Sequence, residues 1–417
     1  MRYIPPCPSD SAEGLFVLPS LDSVSSALHV EPSTEDCSDE RFIVRNLLLE
    51  HGWQYGLSVT PEKREALSIG DLAGRIVDPI LVRVCELMGH LVRLHSHPEA
   101  WLPFNTQTVA EAELDQPIRD KLESASGLGT DPLLCLQAYT LLSQYSAQKE
   151  DIRNCQEFLV KASNIAIHHA ATLGLEDSPA CAWSPKFDSS YLSPHNTSDE
   201  ARAAFSQMIY LDIQYGLILN LPSVIDPGLG VHWADTEINF IRAKSILFLN
   251  DSKRLVFAWN RWDFGDPTPT TWSKNYWSLI EDIHAHIGFL NTVLMDVSCI
   301  PALQGAEPTL KTCSLMSLAA LAELYGLFAL SQPESRRKHQ EVVLEITNIT
   351  QRFSDKDYQY LDPILSVCWS TAWRTLPETP EWATQTNDEN VFRSGLLFLH
   401  AECNRKLRRA SPFAVPL

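Results

Sequence analysis

From about residue 42 onward the apolar positions of this chain recur at three- and four-residue intervals, the period at which one face of an α-helix repeats. The pattern predicts helices over 42–50, 78–94, 107–124, 131–147, 151–173, 234–259, 271–297, 307–331, 334–353, 356–376 and 388–409. Local punctuation agrees. Asp78-Pro79-Ile80-Leu81, Asp131-Pro132-Leu133-Leu134 and Asp362-Pro363-Ile364-Leu365 each set an aspartate to cap, then proline where no N–H is needed, then apolar residues. The best-marked helix opens at Thr197-Ser198-Asp199-Glu200, which reads as a capping box. It turns Ala201, Phe205, Met208, Tyr215 and Leu219 toward one face and stops before Leu221-Pro222-Ser223. β-Branched clusters are short and lack hairpin turns, and no repeat of 20–50 residues is present. The expected fold is all-α, a large and irregular multi-helix array.

Residues 1–41 fall outside the periodic region. They are rich in Pro and Ser, close on Glu31, Glu35, Asp36, Asp39 and Glu40, and read as a flexible acidic arm before a helical domain over 42–417. The acids around Leu15-Phe16-Val17-Leu18 would suit an activation segment, although a solvated linker is the commoner meaning of such composition. Pro/Gly-rich stretches at 221–230 and 265–270 read as internal loops, the first dividing the body into halves at 65–226 and 231–417.

Charge narrows the range of partners. The 417 residues carry 33 Lys+Arg against 52 Asp+Glu, a formal charge of −19, so the body as a whole repels phosphate backbones and any contact with DNA is expected to be indirect. Ten cysteines are spaced at least 14 residues apart with no CxxC, which excludes a zinc finger or cluster and suits buried, reduced thiols of the cytosol or nucleus. The N-terminus lacks the apolar run of a signal peptide, and the greasiest segment, Leu315 to Leu330, carries Glu323 and is too short to span a bilayer. No membrane association is expected.

Catalytic signatures are missing: GxSxG, GxxxxGK[ST] and HExxH do not occur. Gly127-Leu128-Gly129 and Gly228-Leu229-Gly230 read as turns. His95/His97, His168/His169 and His284/His286 sit at spacings that point to different helix faces, so no metal or cofactor is assigned. A terpene-cyclase reading fails for want of an aspartate-rich magnesium motif; its nearest fragment, Asn250-Asp251-Ser252-Lys253, is broken by the lysine. Two local compositions stand out. Trp259, Arg261 and Trp262, followed by Trp272 and Trp277, could line a small-molecule pocket or plug an interhelical loop. Arg405, Lys406, Arg408 and Arg409 could act as a nuclear-import segment or simply complement the dipole of the last helix.

One ordered set of motifs points to a family. Ala162, Ala166 and Ala171 lead into Leu173-Gly174-Leu175. After a variable loop come Asp199-Glu200-Ala201-Arg202, Phe205 and Tyr210-Leu211-Asp212, then Leu221-Pro222-Ser223-Val224-Ile225. This order resembles the fungal-specific transcription factor domain, the middle homology region of zinc-cluster regulators. Ile76-Val77-Asp78-Pro79 through His95 to Pro98 is similar to that family's opening helix, and Tyr360 through Trp369 to its closing one, so the likeness spans about residues 65–410.

The resemblance implies a helical regulatory domain in the nucleus that transmits binding of an effector or partner to transcription, with other regulators or a second copy as partners. The family's zinc cluster has no counterpart, since residues 1–64 offer only Cys7 and Cys37 in acidic surroundings. A loss of the DNA reader, a module outside this sequence and action through a partner stay open. Ser223 stands where many members keep a glycine-arginine-proline arrangement, so no ligand contact carries over. The leading expectation is a fungal transcription regulator controlling a metabolic or secondary-metabolite biosynthesis pathway, with no catalytic residues. The runner-up is an all-α enzyme or accessory protein that binds a hydrophobic small molecule.

Overall fold

The computed structural model describes residues 34–70, 74, 76–96, 107–125, 131–175, 194, 196–225, 237–261, 269–300, 305–374, 394–395 and 397–410. The chain is all-α: among the described residues no strand occurs. In order the helices are α1 (Thr34–Glu50), α2 (Gly52–Tyr55), α3 (Pro61–Ile69), α4 (Pro79–Ser96), α5 (Val109–Ala125), α6 (Pro132–Gln148), α7 (Ile152–His168) and α8 (Ala170–Leu173). There follow α9 (Thr197–Leu219), α10 (Ile238–Asn260), α11 (Pro269–Cys299), α12 (Glu307–Phe328), α13 (Pro333–Gln351) and α14 (Ile364–Arg374). A π-helical turn at Leu399–Cys403 then leads into α15 (Asn404–Ala410).

Two helices organise the rest. α6 is buried on every side from Leu133 to Ala147, and α12 is nearly so from Thr309 to Tyr325. A helix that is apolar all round has no solvent face and becomes the axis of a core. Around α6 pack α4, α7 and α9; around α12 pack α10, α11, α13 and α14. α9 touches both α6 and α10, so the apolar core runs unbroken from Leu48 to Leu407. Hydroxyls within these helices donate to the carbonyl four residues back, as Thr140 does to Leu136 (2.7 Å) and Ser317 to Cys313 (2.9 Å), which satisfies them without a partner helix. No described helix is long and apolar enough to cross a membrane.

The Asp-Pro starts behave alike. Asp78, Asp131 and Asp362 each accept the backbone N–H two residues on, at 2.7, 3.0 and 2.9 Å. Elsewhere the local reading needs correction. α1 begins at Thr34, earlier than the predicted start at 42, and Glu40 within it pairs with Arg93 at 2.6 Å. The cap of α9 is Asn196, whose side chain accepts from Asp199 N at 2.9 Å. Glu200 does not close a capping box. It turns inward and takes Lys63 Nζ (2.6 Å) and the Thr60 N–H (2.8 Å) from the chain around α3. α2 and α3 were not anticipated, being too short to show a period, and 356–376 splits into a 3₁₀ turn (Asp357–Gln359) and α14.

Buried ion pairs fasten the array. Arg45 on α1 meets Glu86 on α4 at 2.5 Å, and Lys149 meets Glu111 on α5 at 2.8 Å. α1 and α4 approach closely because position 89 is glycine: a Cβ there would lie 2.1 Å from the Val44 carbonyl oxygen. Residues 1–33, which hold most of the proposed arm, and the Gly127–Gly129 and Gly228–Gly230 turns lie outside the described residues.

Candidate functional site

The most concentrated polar chemistry lies around Asp362. Its helix-start role aims one carboxylate oxygen at the Ile364 N–H, and three further donors come from distant helices. Tyr210 and Gln214, four residues apart on α9 and hence on one face, donate to it, the phenol at 2.5 Å. Arg242 of α10 forms an ion pair with the same carboxylate. Both charged side chains are sequestered, 3% exposed for Arg242 and 8% for Asp362. The guanidinium also lies 4.0 Å from the centre of the Tyr210 ring and reaches Gln207 Oε1 at 3.3 Å. Burial, and then the charge of Asp362, hold the Tyr210 phenol well above its usual pKa, so it remains a donor.

Beside this node opens a cleft of about 580 Å³, part of it open to solvent. Its walls are α2, the last turn of α6, the end of α9 and the segment from Gln359 to Pro363. Among the described residues five glutamines (54, 144, 148, 214 and 359) and three tyrosines (55, 215 and 360) line it, with Asp362 as the one acidic side chain. Gln54 donates to the Gly305 carbonyl at 3.0 Å, and Gln214 is committed to Asp362. The Oε1 atoms of Gln54, Gln144 and Gln148 are buried without a hydrogen-bond partner. Buried polar atoms in native folds are nearly always paired, so these three, with the Tyr215 hydroxyl as a fourth, mark the cleft out.

The arrangement can bind through hydrogen bonds, and it holds no nucleophile beside a base. The Ser245–His286 contact at 2.9 Å lies elsewhere, with both residues buried; burial and Lys244 push the imidazole down to about 3, and the serine hydroxyl donates to the Ile241 carbonyl. Among the described residues no cluster of three or more His, Cys, Asp or Glu could hold a metal.

The residues singled out in the sequence fall in several places. Trp259, Trp272, Tyr276 and Phe328 pack against one another at the junction of α10, α11 and α12, Phe328 edge-on, with Trp259 and Trp272 centroids 4.5 Å apart and Trp272 Nε1 donating to Leu255 O. Trp277 packs edge-on against Tyr276 and is exposed on its other side, Arg261 lies over Phe257 at 4.7 Å, and Trp262 lies outside the described residues. None of the described ones lines the glutamine-rich cleft. Arg405 pairs with Glu402, and Lys406 with Asp355 and Glu402, which ties this basic segment to the body; the side chains of Arg408 and Arg409 lie outside the description. His284 faces Tyr325 on α12 while His286 faces Ser245 on α10, in keeping with their spacing. Lys253 pairs with Glu323. Asp212 receives the Ser223 hydroxyl and the Val224 N–H (2.9 Å), which pins the chain leaving α9.

Two anchors of this site were visible in the sequence, Asp362 in a helix-start motif and Tyr210 in the Tyr-Leu-Asp segment. The glutamines were not. Their one sequence trace is an amide inside an apolar run, as in Leu141-Leu142-Ser143-Gln144-Tyr145. Comparison with protein-family models, curated proteins and solved structures returned no match.

Proposed function

We propose that this chain is the helical regulatory domain of a fungal transcription regulator, with the cleft beside Asp362 as the seat of its effector. The observation that carries the reading is the bond between Tyr210 and Asp362, 152 residues apart in sequence. Each belongs to a different segment of the family resemblance, and together they form the polar node at the edge of the cleft. A ligand there would contact α6, α9 and the start of α14 at once, the geometry needed to couple binding to the packing of the whole array. The cleft's polar lining and the self-filled aromatic cluster favour this reading over an enzyme acting on a hydrophobic compound. The domain works in the nucleus beside other regulators or a second copy, and its charge of −19 assigns DNA reading to a partner or a separate module.

Fusing the chain to a heterologous DNA-binding domain and measuring reporter output tests the proposal. Activation or repression that changes with growth medium is expected. A reporter that stays at the level of the bare DNA-binding domain in every medium would overturn it.

A further inference from the structure

We infer that the glutamine-lined cleft binds a small uncharged polyhydroxyl compound, a monosaccharide or an open-chain polyol. That such a ligand controls transcription rests on the regulatory reading above; the binding itself does not.

Charge makes the first selection. Among the described residues the lining contains no Lys, Arg or His, and its one carboxylate, Asp362, already holds Arg242, Tyr210 and Gln214. An anion or cation entering the cleft would lose water and find no free counter-charge. Burial raises the pKa of Tyr55 and Tyr215, so both phenols stay neutral.

Hydrogen bonding makes the second. The unpartnered Oε1 atoms stand on two walls, Gln54 on α2 and Gln144 and Gln148 on the last turn of α6. Gln144 is only 7% exposed. A ligand hydroxyl both donates and accepts, so it complements either end of an amide, and several hydroxyls on one small frame reach both walls together. Ala147, Ile218 and Leu361 supply apolar surface for the C–H face of such a compound.

The test is isothermal titration of the full chain with glucose and with sorbitol, with spermidine and citrate as charged probes. A saturable heat is expected from glucose or sorbitol and none from the charged pair. Gln144→Leu and Gln148→Leu should each weaken that binding about tenfold, the effect of one lost hydrogen bond, with the far-UV circular dichroism unchanged. Because polyols stabilise any fold by exclusion at high concentration, the comparison of variants at matched concentration carries the result. If Gln144→Leu fails to fold, the half-buried Gln148 decides. No saturable heat from either polyhydroxyl compound, binding of a charged probe in their place, or affinity indifferent to the folded variants would overturn the inference. An active reporter without polyol binding removes the ligand class and keeps the regulator; polyol binding with a silent reporter does the reverse.

Discussion

Replacing Asp362 with asparagine isolates the charge at the centre of this molecule, because asparagine keeps the shape and an oxygen for the Ile364 N–H. What it removes is the partner of Arg242, a guanidinium 3% exposed that otherwise donates to the neutral Gln207 at 3.3 Å. Breaking a buried pair from one side costs about 3–5 kcal/mol, since the remaining charge is stranded. Against a typical total of about 5–15 kcal/mol for a folded domain, that is a large fraction. Arg242→Met should cost less, on the order of 2 kcal/mol, because Asp362 would keep the Tyr210, Gln214 and Ile364 donors. In the double variant no charge is stranded, so its loss should fall short of the sum of the singles by at least about 1.5 kcal/mol. Urea unfolding followed by far-UV circular dichroism at constant pH measures all four proteins. A D362N loss below about 1 kcal/mol, or strict additivity in the cycle, would refute the argument that this pair is a buried electrostatic node.

Two further outcomes follow from single contacts. Gly89→Ala places a methyl 2.1 Å from the Val44 carbonyl oxygen and should destabilise by about 1–3 kcal/mol or more. Gly288→Ala, where nothing lies within 4 Å, should stabilise α11 by about 0.5–1 kcal/mol; thermal unfolding midpoints moving in the same direction would contradict the packing. In acid, His286 and His339 titrate at about 3 and about 4 when folded, both lowered from 6.5 chiefly by burial. Below pH 6.5 the unfolded chain binds protons that the folded chain refuses, so their contribution to stability is lost progressively toward pH 4, at about 1.4 kcal/mol per pH unit for each histidine. Glu237, raised to about 7 by burial, works in the opposite sense between 4.5 and 7. Replacing both histidines with glutamine should therefore flatten the acid limb of stability against pH, and an unchanged slope would count against their being neutral in the fold.

The effect of context is clearest where one motif had two fates. Three Asp-Pro sequences predicted three helix starts, and each aspartate does accept the expected N–H, because capping involves only residues two apart. Only Asp362 also gathers donors from α9 and α10. Glu200 shows the converse: a capping-box spacing was overridden once Lys63 and the Thr60 N–H offered it a buried site. The aromatic residues from Trp259 to Trp277 were conspicuous in composition, yet most of their faces are spent on one another. Gln144 and Gln148 were inconspicuous, and they line the cleft.

Helix class, most helix positions and the apolar character of α6 and α12 were determined by the sequence alone, because they depend on interactions between residues three and four apart. The tertiary structure decided which polar residues would be enclosed together. Tyr210, Arg242 and Asp362 meet only after three helices pack, and Gln54 and Gln144 line one cleft that no local pattern encodes. A hydrogen bond or ion pair over such separations depends on the whole core closing around it, so its partners cannot be read from spacing.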